Sequence, residues 1–215
     1  MNISAEGWPS IIFTGALASF GWAFCPSSTL ILVPLVLLVL WFYRDPDRHP
    51  LCGPDGWVAP ADGKVVEIVP LDHPYTGPAV KVGIFMNPLS VHVNRVPRGG
   101  VVEYLEYVPG KKWMACAPKA SKVNERFYLG LSTDFGRTLV VQIAGLLARR
   151  IVCRSRKGQP YATGERFGMI KLGSKVDVYL PRGVQLRVTL GQRVYAGRTC
   201  IGVSCHEKTN SIEEA

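Results

Sequence analysis

Three residues of this 215-residue chain could together form a nucleophile and its base. Ser174 lies in the sequence KLGSKV, His92 in PLSVHVNRVP and Asp62 in APADGKV. A serine hydroxyl is a weak nucleophile until a base accepts its proton, and a histidine oriented by a carboxylate is such a base. The residue types therefore indicate nucleophilic catalysis, with Ser174, His92 and Asp62 as the candidate catalytic residues.

Each motif also has an ordinary structural explanation. Gly173-Ser174 joins two β-branched runs, and a Gly-Ser pair is usually a bend. A histidine in a strand is usually packed or solvent-facing, and an Asp-Gly pair is usually a turn. Alternation with period two places His92 and Asn94 on one face of their strand. None of the motifs is diagnostic by itself.

The elements that must position these residues begin with an uncharged leader. Residues 7–43 contain no Asp, Glu, Lys or Arg. The CPSS sequence at 25–28 divides this run into halves that are each short for a perpendicular membrane span, so a shallow hairpin and a single tilted span both stay open. Three aromatic residues followed by Arg44 and Arg48 are typical of a membrane interface with a cytoplasmic basic flank. We expect residues 1–48 to form a hydrophobic, membrane-associating helical hairpin.

Beyond the leader, the sequence changes to short β-branched runs separated by glycine and proline. Alternation with period two dominates in segments such as AVKVGIFM and RTLVVQIAG. We therefore expect a mainly β fold, with a β-sandwich or barrel-sandwich-like domain over residues 49–215 that follows the N-terminal hydrophobic helical hairpin.

Composition narrows the possible partners. The formal net charge is +9, from 25 Lys and Arg against 16 Asp and Glu, which favours an anionic partner. The basic residues form no long run and accompany no nucleic-acid-binding signature, so an anionic membrane is the preferred partner and nucleic acid is not. The six cysteines contain no CxxC pair. We therefore predict reduced thiols on the cytoplasmic side and no metal site.

The order of five motifs is more specific than any one of them. RDPDR, APADGKV, SVHVNRVP, NER and GERFGMIKLGSKVDVYLP resemble the phosphatidylserine decarboxylase family in its short form, over essentially the whole chain. In that family the proenzyme cuts itself at a Gly-Ser bond, and the serine becomes an amino-terminal pyruvoyl group. The resemblance implies cleavage between Gly173 and Ser174 into a β-chain of residues 1–173 and an α-chain of residues 174–215. It also implies a covalent pyruvoyl cofactor derived from Ser174.

The resemblance further implies the reaction and its setting. The protein would be a carboxy-lyase that converts phosphatidylserine into phosphatidylethanolamine. Its partners would be phosphatidylserine, an anionic membrane and, for each chain, the other chain of its own α/β heterodimer. It would be associated with the inner membrane of the cell, with the catalytic domain on the cytoplasmic side. The sequence leaves any higher oligomer open.

One motif departs from the family pattern. Many long-form members resemble H-x-x-H-x-P, whereas here Arg95 stands at the position of the second histidine. Two assignments stay open: His92 serves both self-cleavage and decarboxylation, or Asp62 assists cleavage with a water molecule or a backbone group. Arg95 cannot act as a base at neutral pH, but it can bind phosphate or carboxylate. Arg95 and Asn94 are therefore the candidate substrate-binding residues.

Two other functions stay open at this point. The chain could be a non-enzymatic, membrane-tethered β-domain that binds anionic lipid, in which Gly173-Ser174 is only a turn. It could also be a pyruvoyl decarboxylase that acts on a related serine ether lipid or on a small amino acid. The uncharged leader favours a lipid substrate over a soluble amino acid.

Overall fold

The chain folds as two N-terminal helices followed by a mainly β region. The computed structural model describes residues 2–111, 123–145, 150–171 and 174–205. The predicted fold class, a mainly β sandwich- or barrel-like domain preceded by a helical hairpin, is confirmed. Gly173, the first residue of the predicted cleavage site, lies outside the described residues.

The uncharged segment forms both helices. Helix α1 is Trp8–Phe24 and helix α2 is Thr29–Phe42, with short 3-10 turns at Ala5–Gly7 and Pro26–Ser28. A proline disfavours helical backbone at the residue before it, and Cys25 accordingly has a non-helical backbone (φ −147°, ψ 89°), so α1 ends there. Within the described stretches, neither helix nor any other is long and apolar enough to cross a membrane.

Short strands make up most of the remaining described chain. The β-branched runs and their alternating pattern form strands as expected. The strands are β1 Asn2–Ile3, β2 Arg44–Asp45, β3 Gly56–Val58, β4 Gly63–His73, β5 Gly77–Met86, β6 Val93–Arg95, β7 Gly100–Val108, β8 Arg126–Thr133, β9 Gly136–Ala144, β10 Arg150–Cys153, β11 Pro160–Tyr161, β12 Arg166–Lys171, β13 Ser174–Pro181, β14 Val184–Leu186, β15 Arg193–Val194 and β16 Cys200–Ser204.

A curled eight-stranded antiparallel sheet is the largest element. Its strand order is β11-β7-β8-β9-β13-β5-β4-β15. The central strand β13 alternates as a strand buried on its inner face should: Val176, Val178 and Leu180 lie in the main apolar core. Ser174, the second residue of the predicted cleavage site, begins this strand in the middle of the sheet.

Two three-stranded sheets, β10-β12-β6 and β14-β16-β3, complete the β region, while β1 pairs with β2. Pairing of β12 with β6 brings the segment before the predicted cleavage site next to the histidine motif, with Met169 opposite Val93. Met169 also contacts Phe42 and Tyr43 in a small apolar cluster. The end of α2 therefore packs against β12, close to His92.

Candidate active site

His92 lies in the segment that leads from β5 into β6, and its side chain is fully buried. Its Nδ1 is 2.8 Å from the carbonyl oxygen of Ser90. A carbonyl can only accept, so Nδ1 carries the proton and Nε2 has the lone pair. Nε2 has no hydrogen-bond partner in the described part of the chain. The Nε2 atom of His92 is therefore a basic nitrogen whose lone pair accepts no hydrogen bond from the described residues.

The surroundings of His92 keep it neutral. Burial is the main cause that lowers the pKa of His92 to about 4. The positive charge of Arg44 acts in the same direction, whereas the Ser90 carbonyl and Asp62 act against it. The ring of Phe42, at the end of α2, lies against the imidazole with 4.4 Å between ring centroids. At neutral pH the imidazole is uncharged and can accept a proton.

Ser174 is also fully buried, at the start of the central strand. Its strand partners are Met86 on β5 and Ala144 on β9, which place its side chain between two apolar neighbours. Its Oγ has no hydrogen-bond partner among the described residues. A buried hydroxyl without a partner is uncommon, and such an atom calls for an explanation in function.

Asp62, unlike His92 and Ser174, has hydrogen-bond partners for its side-chain oxygens. Its carboxylate accepts hydrogen bonds from both terminal nitrogens of Arg48, with 2.9 Å between Nη2 and Oδ2, and from the backbone N–H of Ala196 at 2.8 Å. The Nδ1 of His92 is directed to Ser90 rather than to this carboxylate. Asp62 therefore influences His92 through its charge, and its predicted catalytic role stays a prediction.

The two predicted substrate-binding residues differ in their contacts. Arg95 is buried, and its guanidinium donates to Asp45 Oδ1 at 3.1 Å, to the Pro46 carbonyl at 2.9 Å and to the Gly164 carbonyl at 3.0 Å. These contacts fasten the segment after β2 to the β region. Arg95 therefore has a structural role, because it binds the chain at Asp45 and Pro46. Its predicted role in substrate binding stays a prediction.

Asn94 is connected to a residue that the sequence interpretation did not single out. Its Oδ1 accepts a hydrogen bond from Gln142 Nε2 at 2.8 Å, which leaves its Nδ2 directed to the sulfur of Met86 at 3.7 Å. Met86 is the strand neighbour of Ser174, so the Asn94 amide lies on the same side of the sheet as the serine. The signal for Gln142 was a single polar residue within the apolar run LVVQIAG, on a strand that is buried.

Arg48 and Phe42 were also missed as site residues. The sequence pattern assigned both to the membrane interface, but Arg48 pairs with Asp62 and Phe42 covers His92. No periodic spacing connects residues 48 and 62, so the sequence held no signal for the ion pair. The aromatic residue at the end of the leader could equally have faced lipid.

A cavity of about 700 Å³ lies next to Asp62 and to Ser90, the hydrogen-bond partner of His92, while His92 and Ser174 are not among its lining residues. It includes Arg44, Asp62 and Ser90, the three residues whose charge or carbonyl acts on the His92 imidazole. A cavity of this size can hold a small polar molecule or the head group of a lipid. Its lining residues are Arg44, Asp62, Gly63, Lys64, Phe85, Asn87, Leu89, Ser90, Gly191, Arg193, Val194 and Tyr195.

Comparison with known proteins identifies the family. The family model for phosphatidylserine decarboxylase matches residues 35–202, which is most of the chain. This chain belongs to the phosphatidylserine decarboxylase family. The matched range begins within α2 and includes Asp62, His92 and Ser174.

Relatives in this family match over nearly their whole length. The phosphatidylserine decarboxylase proenzyme of Symbiobacterium thermophilum is 45% identical over 211 residues, which cover 93% of this chain and 94% of the relative. That of Oleidesulfovibrio alaskensis is 44% identical over 204 residues, covering 93% of each chain. That of Chlorobium phaeobacteroides is 42% identical over 192 residues, covering 89% of this chain and 91% of the relative. The predicted resemblance to the phosphatidylserine decarboxylase family is confirmed.

Proposed function

We propose that this member of the family decarboxylates phosphatidylserine to phosphatidylethanolamine with a pyruvoyl group generated from Ser174. Self-cleavage at Gly173-Ser174 would give a β-chain of residues 1–173 and an α-chain of residues 174–215. The observation that carries the proposal is the fully buried, unpartnered Oγ of Ser174 among the described residues, in a chain of this family. Leaving such a group unsatisfied costs about 1–3 kcal/mol, a cost that the chemistry of the site would explain.

His92 Nε2 and Ser174 Oγ, which the structure shows without a hydrogen bond between them, would supply the base and the nucleophile for self-cleavage. The neutral Nε2 of His92 accepts the proton of the Ser174 hydroxyl, whose oxygen attacks the Gly173 carbonyl carbon. The peptide C–N bond would then break as an ester forms to the serine oxygen, and the proton held by His92 would pass to the departing amine nitrogen. β-Elimination would remove the Cα proton of residue 174 and break its Cβ–O bond, which releases the upstream chain with a carboxylate at its end and leaves dehydroalanine. Water would convert this residue to the pyruvoyl group and ammonia.

The surroundings of Ser174 fit such a group. Its side chain is fully buried beside Met86 and Ala144, which would shield a ketone from water. A pyruvoyl group supplies a ketone that reacts with the substrate amine and accepts the electron pair released with carbon dioxide. Ser174 would hold this group at the amino terminus of the α-chain.

His92 would manage protons on both sides of the decarboxylation. The substrate amine arrives as an ammonium ion and must lose a proton before it can react with a ketone. His92 is neutral at neutral pH and its Nε2 lone pair is open, so this nitrogen would accept that proton, although burial makes it a weaker base than an exposed histidine. The same nitrogen then holds a proton for the carbon that loses its carboxylate. One histidine would therefore serve both reactions, in a chain where Arg95 stands at the position of the second histidine.

Pairing within the sheet supports an α/β heterodimer. β13 belongs to the α-chain and lies between β5 and β9 of the β-chain, with pairing along both of its edges. A single cut before Ser174 leaves these backbone hydrogen bonds in place. We therefore expect the two chains to stay together after cleavage.

The helical hairpin supports attachment to a membrane. Large apolar side chains are exposed along both helices, including Phe13, Phe24, Leu30 and Ile31, each at least 69% exposed. Exposed apolar surface of this extent is typical of a membrane or protein contact. We propose that residues 1–48 associate with the inner membrane while the decarboxylase domain of residues 49–215 lies on its cytoplasmic side.

Intact mass spectrometry of the denatured, purified protein tests the proposal. We expect two chains, with the smaller one beginning at a pyruvoyl group in place of Ser174, and release of carbon dioxide from phosphatidylserine. Ser174→Ala should stay a single chain without activity, because it has no hydroxyl to attack the Gly173 carbonyl. Ser132→Ala, which alters a half-buried serine in β8, is the matched control and should be cut normally. Full activity in a single uncut chain would contradict the proposal.

A further inference from the structure

Two basic residues face each other at the edge of the large sheet. Lys64 on β4 and Arg193 on β15 are direct partners in the antiparallel register, and both are exposed. The ion pairs between described residues include neither of them. Like charges directly opposite each other destabilise a strand pair. The fold thus maintains two adjacent positive charges that have no ion-pair partner among the described residues.

Both residues line the cavity beside His92, which makes its wall positive. Arg44 is a third cation in the lining, and Asp62 is its one carboxylate among the described residues. That carboxylate is already neutralised by Arg48. The remaining charge of the wall comes from Arg44, Lys64 and Arg193. An anionic ligand would offset it.

Local structure orients the lysine across this wall. Gly191 has a positive φ of 87°, which favours glycine, and its N–H donates to the Val65 carbonyl at 2.7 Å. A Cβ at this glycine would lie 3.7 Å from Lys64 Cε, so the lysine stem extends over the turn that precedes β15. The turn residue and the lysine are both part of the cavity lining.

We propose that Lys64 and Arg193 bind the phosphodiester of the lipid head group at the mouth of this cavity. The inference rests on the proposed function and names the part of the site that holds its substrate. The head group carries two anionic groups, and its amine must reach the buried position of Ser174. The serine carboxylate is bonded to the same carbon as this amine, so it enters with it. The phosphodiester lies farther along the head group, where exposed cations can meet it.

Each of the two chains contributes one of these cations. Lys64 belongs to the β-chain and Arg193 to the α-chain, so the subsite is complete only while β15 stays paired with β4. Arg95 is less suited to this task, because its guanidinium already donates to oxygens of Asp45, Pro46 and Gly164. An ammonium and a guanidinium side by side give a phosphate several charged donors.

Steady-state kinetics on the matured enzyme test the proposal. With phosphatidylserine in neutral detergent micelles, Lys64→Gln and Arg193→Gln should each raise KM about tenfold and leave kcat unchanged, the pattern of a lost binding contact. Glycerophosphoserine, which has the head group but no acyl chains, should inhibit the wild type competitively. Its inhibition constant should rise by the same factor in each variant.

The controls separate charge from structure. Lys64→Arg keeps the charge and should keep KM near the wild-type value. Arg187→Gln removes an exposed α-chain arginine outside the cavity and should leave both constants unchanged. Mass spectrometry should show normal cleavage in all variants.

Three outcomes would overturn the proposal or its basis. If KM and the inhibition constant both stay at wild-type values in the Gln variants, no phosphodiester site exists at these residues. If KM rises but the inhibition constant for glycerophosphoserine does not, the two cations act on the lipid surface instead of the head group. If the wild type itself releases no carbon dioxide from phosphatidylserine, it is the proposed function that fails.

Discussion

Asp62 accepts hydrogen bonds from Arg48 and from the backbone of Ala196, whereas His92 Nε2 and Ser174 Oγ have no partner among the described residues. All three side chains are buried. The candidate site thus has two parts. In the bonded part, Asp62 and its partner Arg48 are hydrogen-bonded. In the open part, His92 Nε2 and Ser174 Oγ have no hydrogen-bond partner among the described residues.

The difference follows from charge. A buried carboxylate needs a partner, because an unpaired ion in the interior costs far more than an unpaired neutral group. A neutral imidazole and a hydroxyl can be left open for about 1–3 kcal/mol each. The fold can therefore leave His92 Nε2 and Ser174 Oγ without hydrogen bonds and available for reaction, but it cannot leave the Asp62 carboxylate unpaired. Changes to the open part should affect the reaction first, and changes to the bonded part should affect stability first.

The largest expected effect is on the open part. His92→Gln removes the basic nitrogen, and we expect self-cleavage to slow by roughly 10²–10⁴-fold, the range for a positioned acid or base. The measurement is the fraction of cut chain over time by mass spectrometry. His73→Gln alters a half-buried histidine elsewhere and is the control. A His92→Gln protein that is cut at the normal rate and fully active would show that the open nitrogen has no part in the reaction.

The bonded part should respond in stability. Arg48→Met leaves the Asp62 carboxylate without its ion-pair partner, and we expect the free energy of unfolding to fall by about 3 kcal/mol. Denaturant unfolding of the uncut Ser174→Ala chain gives this value for a single polypeptide. Adding Asp62→Asn removes the buried charge and should restore part of the loss. Strictly additive losses in the double variant would mean that the two residues do not interact, and the contrast between the two parts would disappear.

The third expected effect is a loss of stability at low pH. The pKa of His92 is about 4 in the folded chain, against its usual 6.5. Between these values the unfolded chain binds more protons, so the free energy of unfolding falls as the pH is lowered from about 6.5 towards about 4. The contribution is fully present above pH 6.5, and its loss is on the order of 3 kcal/mol or less.

Unfolding at several pH values isolates this contribution. The comparison is between the Ser174→Ala chain and the same chain with His92→Gln. Other groups titrate equally in both, so the difference between them belongs to His92. If the two chains lose stability in parallel on acidification, the imidazole is not held neutral by burial, and the open part of the site is more hydrated than the structure indicates.

Local features of the sequence determined much of the fold. The charge-free run contains both helices, and Pro26 ends α1 by restricting Cys25. Alternating residues of β13 place Val176 and Val178 in the core, as period two requires. The ordered motifs pointed to the family, which the comparisons confirm. The helices and the alternation depend on neighbouring residues, and the motif order is a property of the sequence itself, so the sequence alone could reveal all three.

Tertiary structure alone decided which groups meet. Pairing of Arg48 with Asp62, and of the Ser90 carbonyl with His92 Nδ1, decides which atoms are bonded and which stay open. The two-residue strand β15 lies beside β4 across more than half of the chain, and no local pattern specifies that neighbour. A periodic pattern shows which face of a strand is buried, but not which strand lies next to it. That choice is made when the whole core packs and every buried charge finds its counter-charge.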